Sequence, residues 1–160
     1  MGFETTEVPG VVVVEPTVHS DARGFFVETY SEPRYRDNGI PERFLQDNHS
    51  RSGRHILRGL HAQSPNPQGK LVRCVEGAVW DVAVDVRLGS PSFGRHVGVE
   101  LSAENFRQIY VPPGCLHGFV VLGDSAQVEY KCTALYDPTA DFGVRWDDPE
   151  LAVPWPIETP

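Results

Sequence analysis

The chain has 160 residues, 40% of them hydrophobic, which is single-domain size and enough for a substantial core, so one domain over residues 1–160 is expected. A formal net charge of −8 and a pI near 5.1 argue against a nucleic-acid backbone or an anionic membrane surface as the main partner, and an anionic ligand must then be gripped by a local cluster of Arg, Lys and His. Cys74, Cys115 and Cys132 sit in apolar runs without metal-site spacing, no signal-peptide pattern or run of membrane-spanning length is present, and a cytoplasmic protein is expected.

Fifteen glycines and fourteen prolines cut the sequence into short segments rich in Val, Phe, Tyr and Trp, with no sustained helical periodicity. In chain order the predicted strands are 11–15, 24–30, 44–49, 55–63, 70–75, 79–87, 95–101, 108–111, 118–122 and 126–136, with one brief helix at 32–38. So many short strands imply an all-β sandwich or barrel with little helix. The first strand, Val11 to Val14, is apolar on both faces and needs cover on both.

In the strand 55–63, His55 and His61 fall on one face and Arg58 on the other. Gly59 is placed where a bulge would bring Arg58 and His61 to the same side. A turn then leads to Lys70. The chain holds twelve arginines and only two lysines, Lys70 and Lys131, so a lysine at this point suggests a compact, tunable donor where one oxygen must be gripped. A His and a Lys within ten residues are the pair needed to pull a proton from a carbon beside a carbonyl.

Further along, Ala78, Trp80, Val82, Val84 and Val86 alternate with Val79, Asp81, Ala83, Asp85 and Arg87. One face is apolar and the other carries two carboxylates; the polar face is either a barrel lumen or a solvated exterior. Pro113-Gly114-Cys115-Leu116-His117 echoes a cupin turn that delivers a His into the lumen. A metal site from His55, His61, His117 and a carboxylate stays open beside a metal-free reading. In the last strand Tyr130 and Tyr136 share a face, with Lys131 opposite.

Taken in order, Asp21-Ala22-Arg23-Gly24-Phe25-Phe26, Gln46-Asp47-Asn48-His49-Ser50, Leu57-Arg58-Gly59-Leu60-His61, Gln68-Gly69-Lys70-Leu71-Val72-Arg73, Ser90-Pro91-Ser92-Phe93-Gly94, Leu101-Ser102-Ala103-Glu104-Asn105, His117-Gly118-Phe119, Tyr130-Lys131 and Trp146-Asp147-Asp148-Pro149 make the chain resemble the dTDP-4-dehydrorhamnose 3,5-epimerase family along nearly its whole length. The resemblance implies a cupin-type jelly-roll barrel without metal or other cofactor, acting on a dTDP-4-keto-6-deoxy sugar. It implies that His61 is the base, Tyr130 the acid on the opposite sugar face, and Lys70 the group that holds the C4 oxygen as it becomes an enolate. By the same resemblance Arg23, Glu28, Gln46, Asp47, Asn48, Arg58, His117 and Asp141 are ligand-binding positions, and Tyr136 stacks on thymine. A homodimer with exchanged N-terminal strands is implied, in which Arg23 and Glu28 reach the neighbour's pocket.

Two departures bear on this. Family members usually have, beyond the Trp155-Pro156 region, a carboxylate that orients the catalytic His, and the candidates to replace it within this sequence are Asp81 and Asp85. Ala62 stands where the family commonly has an aromatic, which is expected to reshape the pocket beside the base. Two other readings stay open: a C3-only epimerase of a dTDP-4-keto-6-deoxy sugar, and a non-catalytic nucleotide-sugar-binding cupin.

Overall fold

A computed structural model describes all 160 residues. Its elements in order are β1 (Gly2–Thr5), β2 (Val12–Glu15), β3 (Val18–Asp21), β4 (Gly24–Val27), α1 (Glu32–Asp37), β5 (Gln46–Gly53), β6 (Leu57–Gln63), β7 (Lys70–Glu76), β8 (Ala78–Asp85), β9 (His96–Ser102), β10 (Gln108–Val111), β11 (Cys115–Val121), β12 (Ser125–Cys132) and β13 (Asp141–Gly143). A six-stranded sheet, ordered β1-β2-β10-β7-β12-β5, faces a five-stranded sheet ordered β13-β6-β11-β8-β9. Every pairing is antiparallel. The result is an all-β jelly-roll barrel of the cupin type.

Alternation explains what each strand gives to which layer. Between the sheets, Val72, Ile109 and Val128 meet Val79, Ala83, Leu101 and Phe119 in the interior core. Outside the six-stranded sheet, Val12, Val14, Leu71 and Tyr110 pack under Tyr35 of α1 and Ile40. Outside the five-stranded sheet, Leu60, Ala62, Val82, Val84 and Leu116 pack under a C-terminal segment that presents Val144, Leu151, Val153 and Trp155. The doubly apolar Val11–Val14 run is therefore covered within one chain: Val11 joins the interior core, and Val12 and Val14 lie beneath α1.

The ambiguity of the strand at 79–87 resolves the same way. Its apolar face is the outside of the barrel, under the C-terminal segment, and its polar face is interior, with Asp81 and Asp85 both fully buried. Asp85 accepts from Arg87 Nε at 2.9 Å, Ser90 Oγ at 2.6 Å and Ser92 Oγ at 2.5 Å. The Arg87 guanidinium is the main cause that holds its carboxyl well below the usual carboxylate range, and the two serines add to it. Because the folded value is depressed, this stabilisation is present above about pH 4, the unfolded carboxylate range, and is lost as pH falls through the native value. Asp85→Asn is expected to cost about 2–3 kcal/mol at pH 7 by urea unfolding, with the gap to the parent chain narrowing below about pH 4. An equal gap at pH 7 and in acid contradicts this account.

Boundaries differ from the sequence expectation where side chains stop alternating. The strand expected over 126–136 ends at Cys132, because the next ladder donor, Gly69 N, goes to the Thr133 side-chain Oγ1 at 2.8 Å in place of a backbone carbonyl. The strand expected from residue 55 starts at Leu57, because His55 has a left-handed φ of 59° in the β5–β6 turn. β1, β3 and β13 were not expected; their residues are nearly all exposed and give no apolar alternation to read.

Candidate active site

Both sheets contribute to one cavity of about 370 Å³. From the five-stranded sheet come Leu57, Arg58, Gly59, His61, His117 and Phe119, and from the six-stranded sheet Ser50, Lys70 and Tyr130. A second cavity of about 310 Å³ lies over Arg73, Glu129, Lys131 and Asp47. There the charges already satisfy one another, Arg73 with Glu129 at 2.5 Å and Lys131 with Asp47 at 3.0 Å, which leaves little for a ligand anion.

Arg58 and His61 share the first cavity because β6 is bulged. His117 of β11 pairs with His61, but Phe119, two residues on, pairs with Arg58, so three steps on β6 match two on β11. A regular strand would put the two side chains on opposite faces. Gly59, at φ 130°, makes the bulge possible: a Cβ there would lie 2.5 Å from Gly118 Cα and 2.9 Å from His117 O. Arg58 is held by donation from Nε to Ser52 Oγ at 2.8 Å and from Nη2 to Arg51 O at 3.3 Å.

Lys70 is delivered by a pinned turn. Gln68 Nε2 donates to Ala134 O at 2.7 Å, Gly69 N to Thr133 Oγ1 at 2.8 Å, and Thr133 N back to Gly69 O at 3.0 Å. Burial lowers the Lys70 pKa, opposed by Cys132, Asp141 and Asp81. Tyr130, on the same sheet, has its phenol pKa raised by burial and then by Cys132, with Arg58 opposing. Tyr130 is thus kept protonated and able to give a proton, and it lines the same cavity as Lys70.

His117 is the most enclosed histidine of the site, 8% exposed, and it pairs with a carboxylate that is fully buried. Its Nε2 lies 3.0 Å from both Asp81 oxygens. Asp81 fixes the ring of His117, while Asp85 is engaged by Arg87 and the two serines. Neither carboxylate orients His61, and the expectation that one of them replaces the family's tail carboxylate is corrected on that ground. The cluster of His55, His61, His117 and a carboxylate is not assembled either, because His55 is exposed in the β5–β6 turn. No three His, Cys, Asp or Glu side chains are grouped to hold a metal ion.

A barrel cavity with an imidazole on one wall and a phenol and a lysine on the facing wall can be set against known proteins. A family model described as dTDP-4-dehydrorhamnose 3,5-epimerase matches residues 5–160. The chain belongs to that family. It is 49% identical over 156 residues to the dTDP-4-dehydrorhamnose 3,5-epimerase of Methanothermobacter thermautotrophicus, covering 98% of this chain and 84% of that protein. Among solved structures, the dTDP-6-deoxy-D-glucose-3,5-epimerase of Legionella pneumophila in complex with dTDP-4-keto-L-rhamnose superposes with a TM-score of 0.95 at 49% identity, covering 99% of this chain and 85% of that one. A 4-keto-6-deoxy sugar epimerase from the novobiocin gene cluster of Streptomyces spheroides also gives a TM-score of 0.95, at 40% identity, over 100% of this chain and 81% of that one. As a member of the epimerase family the chain is an isomerase.

The other positions singled out by the family resemblance divide into three groups. Asn48 and Gln46 lie on the inward register of β5; Gln46 donates to Asn48 Oδ1 at 2.9 Å and accepts from the Tyr136 backbone N at 3.0 Å. This tethers Tyr136, which lies beyond the end of β12 and is 54% exposed, so it does not share a strand face with Tyr130 as expected. Asp141, on β13 opposite Gln63, is near enough to act on the Lys70 charge.

Asp47 is the clear misfit: it alternates onto the outer face and pairs with Lys131. Arg23 and Glu28 lie away from the cavity of their own chain. Arg23 sits in the exposed β3–β4 ribbon, paired with Asp21 at 2.5 Å, and Glu28 pairs with Arg34. Ala62 is also not beside the base: it points outward into the cluster under the C-terminal segment, so the pocket is not reshaped there. Sequence reasoning missed Ser50, whose buried Oγ has no hydrogen-bond partner and which lines the cavity. Its signal was available, since it shares the inward register of Gln46 and Asn48.

Proposed function

We propose that this epimerase inverts C3 and C5 of dTDP-4-dehydro-6-deoxy-D-glucose to give dTDP-4-dehydro-L-rhamnose, in a domain spanning residues 1–160. The observation that carries the reading is that His61 and Tyr130 stand on facing sheets of one cavity, so a base and an acid can act on opposite faces of one sugar ring. The C4 ketone acidifies the hydrogens on C3 and C5. His61 takes such a proton, the electron pair moves to O4, Lys70 holds that oxygen as an enolate, and Tyr130 returns a proton to carbon from the other face. Arg58 meets the diphosphate, and Tyr136 meets the thymine at the rim.

Incubation with the 4-keto sugar nucleotide in D₂O tests this. Two deuterons, at C3 and C5, are expected; one, at C3 alone, would identify a C3-only epimerase, and none a binding protein.

The proposal includes a homodimer with shared sites. It is supported by the β3–β4 ribbon, which joins neither sheet and exposes Phe25 and Phe26 at 62% and 71% beside Arg23. An inactive His61→Ala protein mixed with an inactive Arg23→Ala protein is expected to regain about a quarter of normal activity after subunit exchange, because half of the dimers are mixed and each mixed dimer has one intact site of two. A monomer by light scattering, or no rescue after confirmed exchange, refutes the shared-site reading. A cytoplasmic location is proposed with it, supported by three cysteines that are all free and buried. No helix is long and apolar enough to cross a membrane.

A further inference from the structure

The two buried carboxylates of the barrel are committed elsewhere, Asp81 to His117 and Asp85 to Arg87, Ser90 and Ser92. What the His61 ring meets is a strand. β13 runs antiparallel to β6 with Gly143 directly opposite His61. A Cβ at Gly143 would stand 3.1 Å from His61 Cδ2, 3.8 Å from His61 Nε2 and 3.0 Å from Leu60 O. The Cδ2–Nε2 edge of the imidazole therefore lies against bare backbone.

That backbone is itself fixed. Val144 N donates to Leu60 O at 2.9 Å, and Leu60 N to Val144 O at 3.2 Å. Val144 is also packed into the outer apolar cluster with Leu60, Leu151, Val153 and Trp155. A ring that faces an open cavity on one side is thus backed by a short strand anchored on the other.

We infer that Gly143 is a positioning residue for His61: its missing side chain lets the ring rest on β13 and sets the direction in which the imidazole addresses the cavity. The inference rests on the proposed role of His61 as base. A methyl group at this position must displace the ring or β13 by a few tenths of an ångström, and a branched side chain must displace it further. Proton transfer from carbon is sensitive to such shifts, with about 1 Å of misplacement costing on the order of 100-fold. Nucleotide binding through Arg58 and Tyr136 does not depend on the ring.

The test uses the full chain with Gly143→Ala and Gly143→Val. Expected are falls in kcat of about 10-fold and about 100-fold, dTDP affinity within about twofold of the parent, and an unchanged melting temperature for the alanine variant. Gly123→Ala is the control, since a Cβ there meets nothing within 4 Å, and it should leave kcat unchanged. In the parent protein an NMR cross-peak between His61 Hδ2 and the Gly143 Hα protons is expected. A folded Gly143→Val protein with parental kcat, or kcat and dTDP affinity falling together, overturns the positioning role. Absence of the cross-peak in the parent protein overturns the contact itself, and that measurement stands even if the parent protein shows no epimerase turnover, which would sink the functional reading instead.

Discussion

Asparagine in place of His61 is expected to lower solvent-deuterium exchange into the 4-keto sugar by about 10³-fold or more, with dTDP affinity kept within about twofold. The side chain is of similar reach and stays polar, so the cavity keeps its shape and its hydrogen bonding. What is lost is a nitrogen lone pair basic enough to accept a proton from carbon. Removal of the base should stop exchange at both C3 and C5, since the proposed mechanism uses one imidazole for both carbons. Single-turnover mass spectrometry in D₂O, with dTDP binding by calorimetry alongside, reads the two quantities separately. Parental exchange in this variant would remove His61 from the mechanism.

The second large effect is expected at Lys70. Lys70→Gln should lower kcat by about 10²–10³-fold, because the negative charge that develops on O4 loses its cation and keeps only a neutral donor. Lys131 provides the comparison within one protein. It lies on the opposite face of the six-stranded sheet, 3.0 Å from Asp47, and Lys131→Gln should change kcat by less than about twofold. The reverse order of effects would overturn the assignment of faces.

On the proposed mechanism, Lys70 is expected to set the alkaline limb of the activity profile. Burial lowers its pKa, while Asp141 and Asp81 pull it back up. Removing either carboxylate charge lowers the value further, so in Asp141→Asn activity should be lost at lower pH than in the parent on the alkaline side. A limb that moves to higher pH would exclude Lys70 as the titrating cation.

Most of the barrel was legible because antiparallel strands with one buried face leave a two-residue rhythm. The bulge at Gly59 was legible as well, since a glycine inside a strand pattern is a local signal that the register can break. Which face of β8 looked inward was not. Its alternation is equally clear for either answer, and the choice is made by the C-terminal segment, which covers Val82 and Val84 from some 70 residues away along the chain. The partner of Asp81 was hidden for a related reason: its engagement with His117 depends on the β8–β11 pairing, a long-range contact. Tyr136 was misplaced because β-propensity continues past Cys132, whereas the strand is ended where Gly69 N donates to the Thr133 side chain.

The two apolar layers on the outer faces of the sheets have a consequence for how this scaffold can change. A barrel that relied only on its lumen for cohesion would have to fill that lumen with aliphatic side chains. Here the layer under α1 and the layer under the C-terminal segment bury apolar area outside the barrel, at about 25 cal/mol per Å². The cavity wall can then be written in Arg, His, Lys, Ser and Tyr without carrying the cohesion of the fold. Exchanges along that wall would alter which sugar is accepted while the interior core at the rest of the sheet interface and the outer layers keep the fold in place, so substrate preference and fold stability can drift as nearly independent traits.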